Sequence, residues 1–208
     1  SEERIEQNMY RTLPAGYAAR RLLAGMLSDF HDLDGIPGFY VEGGAWTIAG
    51  KSGLLVPYCN KDGYIQGMQN GWMMNPSQIG NTDGFPVGIG HSELVAAPKY
   101  MLPEIHAQTA YLTEGGLKGD VASFLDDDAL FLCFAGVNAI HDLKDTLLQM
   151  EHVKEVVIAL DMDKLMNWRV RKALSRITKL VRSIRGMRLR LMNWNMTFKG
   201  VDDYYKAR

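Results

Sequence analysis

The chain has 208 residues, 47% of them hydrophobic, which allows one large or two small domains with a buried core and excludes global disorder. Its formal net charge of −1 excludes polyanion binding by overall charge alone. No apolar run reaches the roughly 20 residues of a bilayer span, and the charged start SEERIEQNMY lacks the apolar stretch of a signal peptide, so a cytoplasmic protein with no membrane partner is expected.

Residues 15–30 read as a helix, with Ala18, Leu22, Leu23, Met26 and Leu27 as its apolar face. The run DLDGIPGFY is turn-rich. Two short apolar runs follow, WTIAG and GLLVPYC, and the second leads through NKDG into YIQGMQ. Apolar runs around an Asp-Gly turn predict a hairpin. Residues 70–91 are dense in Gly, Asn and Pro without periodicity. A loop of that length suits a lid or a binding loop. From about residue 107 strands and helices alternate. AQTAYLT, ALFLCF, VKEVVIAL and MRLRLMNW read as strands. GGLKGDVASFLDD, VNAIHDLKDTLLQM and the long run 164–186 read as helices, the last with Val170, Leu174, Ile177, Val181 and Ile184 on one stripe. Such alternation predicts an α/β fold: a mostly parallel sheet with flanking helices, preceded by a smaller α+β part. The expected domains are 1–105 and 106–208.

Cys59 and Cys133 lie in apolar runs without a CxxC partner, so a zinc ribbon is excluded and two buried reduced thiols are expected. His31, His91, His106, His141 and His152 show no HxH or HxxxH spacing that would suit zinc. The phosphate-loop pattern GxxxxGK[ST] is absent.

The chemistry-bearing pattern is carboxylate. Glu114 closes one strand-like run, Asp161 and Asp163 close another, and Asp202 and Asp203 sit in FKGVDDY. In an open α/β sheet ligands bind at the carboxyl ends of the strands, and acids converging there suit a hard cation such as Mg2+. The pair in LDMD flanks one residue, so in an extended turn both acids point to one side. Charge is distributed to match. Residues 164–201 contain no acid and hold 11 of the 23 basic residues, among them Lys164, Arg169, Arg171, Lys172, Arg176 and Lys199. Acids beside a basic face point to metal-assisted work on a phosphate backbone, although a basic helix face is equally what a solvated surface looks like. Tyr58, Tyr64, Trp46 and Trp72 are placed to stack bases, with core packing the commoner use of such residues.

LTEGGLKGDVAS, with Lys118 and Asp120, resembles the first motif of the Toprim domain of primases, topoisomerases and some nucleases. IALDMD resembles its DxD motif, FAGVNAI the strand-turn between them, and FKGVDDY a terminal acidic motif of phage primase-helicases. With GIPGFY and the WTIAG, GLLVPY and DGYIQGMQ block, the chain resembles an uncharacterised Toprim-like family found in primase-like proteins of phages, plasmids and mobile elements. The resemblance covers most of residues 35–205. It implies a Toprim-like (Rossmann-like) sheet, with Glu114 nearest to proton transfer or metal and Asp161 and Asp163 on Mg2+ or Mn2+. Asp202 or Asp203 would support a second metal, unless they cap the final helix. Lys118 and Lys199 would face phosphate. The zinc finger and helicase that accompany full primases have no counterpart here, so an excised domain or a stand-alone relative is expected.

The reading that follows is a primase-type nucleotidyl transferase using NTPs on single-stranded DNA or RNA, encoded by a bacterium, phage or plasmid and working beside a helicase or other replication protein. A Toprim nuclease and a non-catalytic nucleic-acid-binding module are the alternatives.

Overall fold

The computed structural model describes residues 2–36, 38–59, 65–71, 95–96, 107–126, 129–134, 136, 140, 142–162 and 166–208. The chain forms two compact units, Ser1–Pro57 with Gly67–Ser92, and Tyr58–Gln66 with Glu93–Arg208.

In the first unit, helix α1 (Glu2–Gln7) precedes strand β1 (Arg11–Leu13) and helix α2 (Tyr17–Ser28). Strands β2 (Phe39–Glu42) and β3 (Ala45–Ile48) pair antiparallel, with Glu42 opposite Ala45. Gly43 and Gly44 turn between them at φ of 55° and 74°, the left-handed conformation a tight hairpin turn requires. The run FYVE is therefore a strand, where the sequence reads as a turn. Three of its four residues are exposed, so it carries no apolar alternation to announce it. Helix α2 packs along β3 and holds the hairpin by polar contacts: Arg21 donates to the Gly43 carbonyl and Tyr17 to the Glu42 carboxylate. The expected apolar face is met only in part: Leu23 and Leu27 are half-buried, and Ala18 is exposed. Ala24 is fully buried, whereas Leu22 and Met26 are exposed, because the side of α2 that meets the hairpin is the one carrying Ala24 and the arginines. Strands β4 (Gly53–Cys59) and β5 (Ile65–Gly71) neighbour each other in the sheet β1-β4-β5, as the Asp-Gly hairpin predicts. The turn between them lies outside the described residues, as does the lid-like loop beyond Gly71.

The second unit is built on a five-stranded sheet of order β10-β9-β7-β8-β6. Its strands are β6 (Val95–Ala96), β7 (Thr109–Glu114), β8 (Phe131–Phe134), β9 (Glu155–Ile158) and β10 (Arg188–Leu191). The pairs β10/β9, β9/β7 and β7/β8 are parallel, and only the edge strand β6 runs antiparallel. Helices α3 (Gly116–Leu125), α4 (Leu143–Gln149) and α5 (Trp168–Arg182) connect successive parallel strands, and α6 (Val201–Lys206) ends the chain. Strand alternation sends side chains to two covered faces. Ala110, Leu112, Leu132, Phe134, Val156 and Ile158 meet α4 and α5. The stripe expected on α5 is the one it buries: Val170, Ile177 and Val181 are buried and Leu174 partly so, while Ile184, also buried, lies just past the helix end. Tyr111, Thr113, Phe131 and Cys133 take the other face, under α3 and α6. There Tyr111 stacks on Phe131 with ring centroids 5.0 Å apart, and Tyr205 meets Phe131 edge-on at 6.4 Å. Both cysteines are free and buried, and burial pushes the Cys133 thiol far up, with Asp120 adding to the shift.

Gly119 sets how closely α3 approaches the sheet. A Cβ there would overlap Cys133 Sγ and stand 3.3 Å from Thr113 Cγ2. Replacing a helical Gly by Ala ordinarily stabilises by up to about 1 kcal/mol, but here overpacking dominates. Gly119→Ala is expected to cost about 1–3 kcal/mol in denaturant unfolding, and adding Cys133→Ala should recover part of that loss. A Gly119→Ala chain as stable as the parent would contradict this close contact.

Candidate active site at the carboxyl edge of the sheet

The parallel register sets where the acids fall. Leu112 of β7 pairs with Ile158 of β9, and the Ala159 amide still donates to the Leu112 carbonyl. Glu114 lies two residues past Leu112, and Asp161 three past Ile158, so both leave the sheet at the same edge. Glu114 is half-buried directly before α3, where the positive end of a helix favours a carboxylate. Gly115 supplies the φ of 90° that turns strand into helix. The half-buried Gly116 amide, left open at the start of α3, donates to the Tyr58 hydroxyl at 2.8 Å. Tyr58 is fully buried and its hydroxyl is held well above the ordinary phenol range by burial, with the Glu114 charge among the lesser causes. That removes Tyr58 from the base-stacking candidates. Trp46 is half-buried in β3, and Tyr64 and Trp72 lie outside the described residues.

Asp161 is 95% buried, with a relative exposure of 5%. Its Oδ2 receives the Lys118 ammonium at 2.6 Å. Lys118 sits in the first turn of α3, where the helix dipole disfavours a cation and no acid of its own turn offsets it. Asp161 supplies the missing countercharge from the neighbouring strand. The lysine expected to face phosphate is therefore engaged with an acid of the cluster. The next residue, Met162, is buried, and its amide donates to the Lys199 carbonyl at 3.0 Å. This contact brings the turn before α6 to the same edge. A Cβ at Gly200 would overlap Asp202 Oδ1 and lie 3.4 Å from the Lys118 stem, so glycine keeps the space between lysine and aspartate open. Asp202 is ion-paired through Oδ2 with Lys206 at 3.6 Å. Asp203 accepts from the Gly200 amide at 3.4 Å, the helix-capping role weighed for it in the sequence.

Among the described residues, two buried carboxylate oxygens, Asp161 Oδ1 and Asp202 Oδ1, have no hydrogen-bond partner. Buried acceptors are almost always satisfied, so these two mark places for a donor or a cation. Among the described residues no three His, Cys, Asp or Glu side chains form a metal cage. Mg2+ keeps several waters and takes only one or two carboxylates, so Asp161 with its open oxygen fits such an ion without a cage. Asp163 and Lys164 lie outside the described residues. Arg169, Arg171, Lys172 and Arg176 are exposed on α5, off its buried stripe, and Lys199 is exposed beside Gly200. The α5 N-terminus, capped by Asn167 accepting from the Arg169 amide, follows the carboxyl end of β9. Arg169 to Lys172 therefore begin the crossover at the acidic edge, while Arg182 ends it at the opposite one.

Solved structures share this fold along the whole chain. A DnaG primase catalytic domain bound to single-stranded DNA has a TM-score of 0.69 over 100% of this chain and 66% of its own, at 14% identity. A primase domain from Pseudomonas aeruginosa gives 0.70 over 99% and 64%, at 12% identity. The catalytic core of E. coli primase gives 0.65 over 100% and 65%, at 13% identity. This chain thus spans about two thirds of those primase chains. At such identities the likeness establishes the fold, a Toprim-like α/β fold of the primase catalytic core. No protein-family model matches the sequence, and no curated protein matches it.

The ion pair makes a measurable claim. Lys118→Met keeps the stem beside Gly200 but leaves Asp161 buried and unpaired. With Lys118 a third exposed, the loss should be on the order of 1–3 kcal/mol in denaturant unfolding. Adding Asp161→Asn, which removes the stranded charge, should restore part of it. No loss in Lys118→Met would mean that the pair contributes nothing to the fold.

Proposed function

We propose that this protein is a metal-dependent nucleotidyl transferase of primase type that joins NTPs on a single-stranded DNA or RNA template. One observation carries the reading. On a primase-core fold, a buried aspartate with an open carboxylate oxygen stands at the ligand-binding edge of a parallel sheet, directly before a helix that begins with a basic face. We take residues 106–208 as the catalytic domain. The setting we favour is replication of a phage, plasmid or other mobile element in a bacterial cytoplasm, beside a helicase or other replication protein. Among the described residues no helix is long and apolar enough to cross a membrane.

Asp161 Oδ1, with Asp163 and Glu114, would hold Mg2+ or Mn2+, and Asp202 Oδ1 a water or second ion. The metal would supply charge neutralisation for the triphosphate and a more acidic attacking hydroxyl. Lys118 holds Asp161 in place while the site awaits its ion. Lys118, paired with Asp161 Oδ2, leaves Oδ1 open and would be placed to face a phosphate oxygen of a bound nucleotide. Lys199 reaches the same edge from the α6 side. Arg169, Arg171, Lys172 and Arg176 receive the template backbone, since phosphate contacts position a strand without reading its sequence.

The test is incubation with Mg2+ or Mn2+, a single-stranded template and labelled NTPs. Short primers are expected, and Asp161→Asn should abolish them while the fold survives. Fragments of the template instead of primers would make the protein a nuclease, and neither product would leave a binding module.

A further inference from the structure

Trp168 opens α5 and is 60% exposed, with Met166 two residues before it at 80%. Indole is costly to leave in water, since burying a large aromatic contributes some of the largest single terms in a core or interface. The helix does have a core-facing stripe, Val170, Ala173, Ile177 and Val181, and Trp168 stands off it. Its neighbours on the helix surface, three and four residues on, are Arg171 and Lys172, both exposed. The Arg169 guanidinium lies 5.8 Å from the ring centroid, within cation–π range. Among other exposed aromatics, Phe30 follows Asp29, Phe124 stands two residues from Asp126, and the Tyr17 hydroxyl is engaged by Glu42 and by Arg21 four residues on. Trp168 lies in the tract 164–201 that holds 11 basic residues and no acid, at the sheet edge where Asp161 emerges.

An exposed indole surrounded by cations is complementary to one class of ligand, a chain of anions bearing flat apolar rings. We infer that Trp168 is a stacking platform for a base of single-stranded nucleic acid, with Arg171 and Lys172 taking the phosphates on either side and Arg169 bracing the ring. This rests on the nucleic-acid reading above and extends it. The platform would be the part of the template contact that salt does not weaken. Stacking on any base is possible, so the contribution is tolerant of sequence. Placed at the first residue of α5, which follows the acidic edge, it would hold the strand close to that edge.

Salt separates stacking from phosphate contact. Binding of a fluorescein-labelled oligothymidylate is measured by anisotropy across a salt series for the wild type, Trp168→Ala, Trp168→Phe and Arg171→Gln/Lys172→Gln. Trp168→Ala should lose about 5- to 100-fold in affinity at every salt concentration, the range seen for one stacked base, with the slope of log affinity against log salt unchanged. Trp168→Phe should retain most of the affinity and lose the quenching of intrinsic tryptophan fluorescence on binding. The double Gln variant should instead flatten the slope, by about 0.7 per lost contact. Circular dichroism of Trp168→Ala should match the wild type, since the side chain is exposed. Wild-type affinity in Trp168→Ala, a slope change in that variant, or fluorescence quenching that persists in Trp168→Phe would overturn the inference. A wild type that binds and quenches as described yet makes no primers would sink the primase reading and leave the platform standing.

Discussion

Three parallel pairings, β10/β9, β9/β7 and β7/β8, are the constraint on which the rest of this structure depends. Parallel strands all end at the same edge, and each must be reached by a crossover. Here the crossovers α3, α4 and α5, with α6, cover both faces, so Phe131, Leu132, Val156 and Ile158 are packed rather than solvated. With the faces of the central strands occupied, polar chemistry is confined to the strand ends. At the carboxyl edge the chain places Glu114, Asp161 and the turn before α6, together with the positive ends of α3 and α5. The packing between α3 and the sheet depends on Gly119, because any side chain there would push the helix, and Lys118 with it, away from Asp161.

The Lys118–Asp161 pair then decides the electrostatic state of the edge. Burying one carboxylate without compensation is expensive, and a single ammonium satisfies only one of its two oxygens. The result is a site neutralised enough to fold yet still short of positive charge at Asp161 Oδ1 and Asp202 Oδ1. On the proposed reading, acids at the edge would repel a phosphate chain, and Arg169, Arg171 and Lys172, exposed at the start of the adjacent crossover, would offset that repulsion.

Much of this was legible in the sequence, for reasons that can be named. Strands buried on both faces read as unbroken apolar runs, so ALFLCF and VKEVVIAL announce themselves. The α5 stripe repeats at helical spacing because one side of the helix faces the core. The acids are visible because they close apolar runs. What stayed hidden lies in relations between elements. The sheet order, with β7 between β8 and β9, leaves no local pattern, and the two-residue edge strand β6 is too short to have a period. Lys118 reads as a solvated or phosphate-facing lysine until Asp161 is brought to it from 43 residues away. Tyr58 reads as a core aromatic of a hairpin, and is one, but its bond from the Gly116 amide leaves no local pattern. On α2, the apolar count favours Leu22 and Met26, but a small buried Ala24 and polar contacts from Arg21 and Tyr17 choose the other side. Trp168 is inconspicuous in the sequence because it opens a helix dominated by charge.

The central claim is that Asp161 is poised for a divalent ion at this edge. Crystals soaked in Mn2+ and recorded for anomalous scattering test it most directly. The account predicts a peak about 2.1 Å from Asp161 Oδ1, with the Lys118 ammonium moved off or sharing the carboxylate. A saturating soak that leaves Asp161 without a peak, or that places Mn2+ only at sites away from the carboxyl edge, would contradict it.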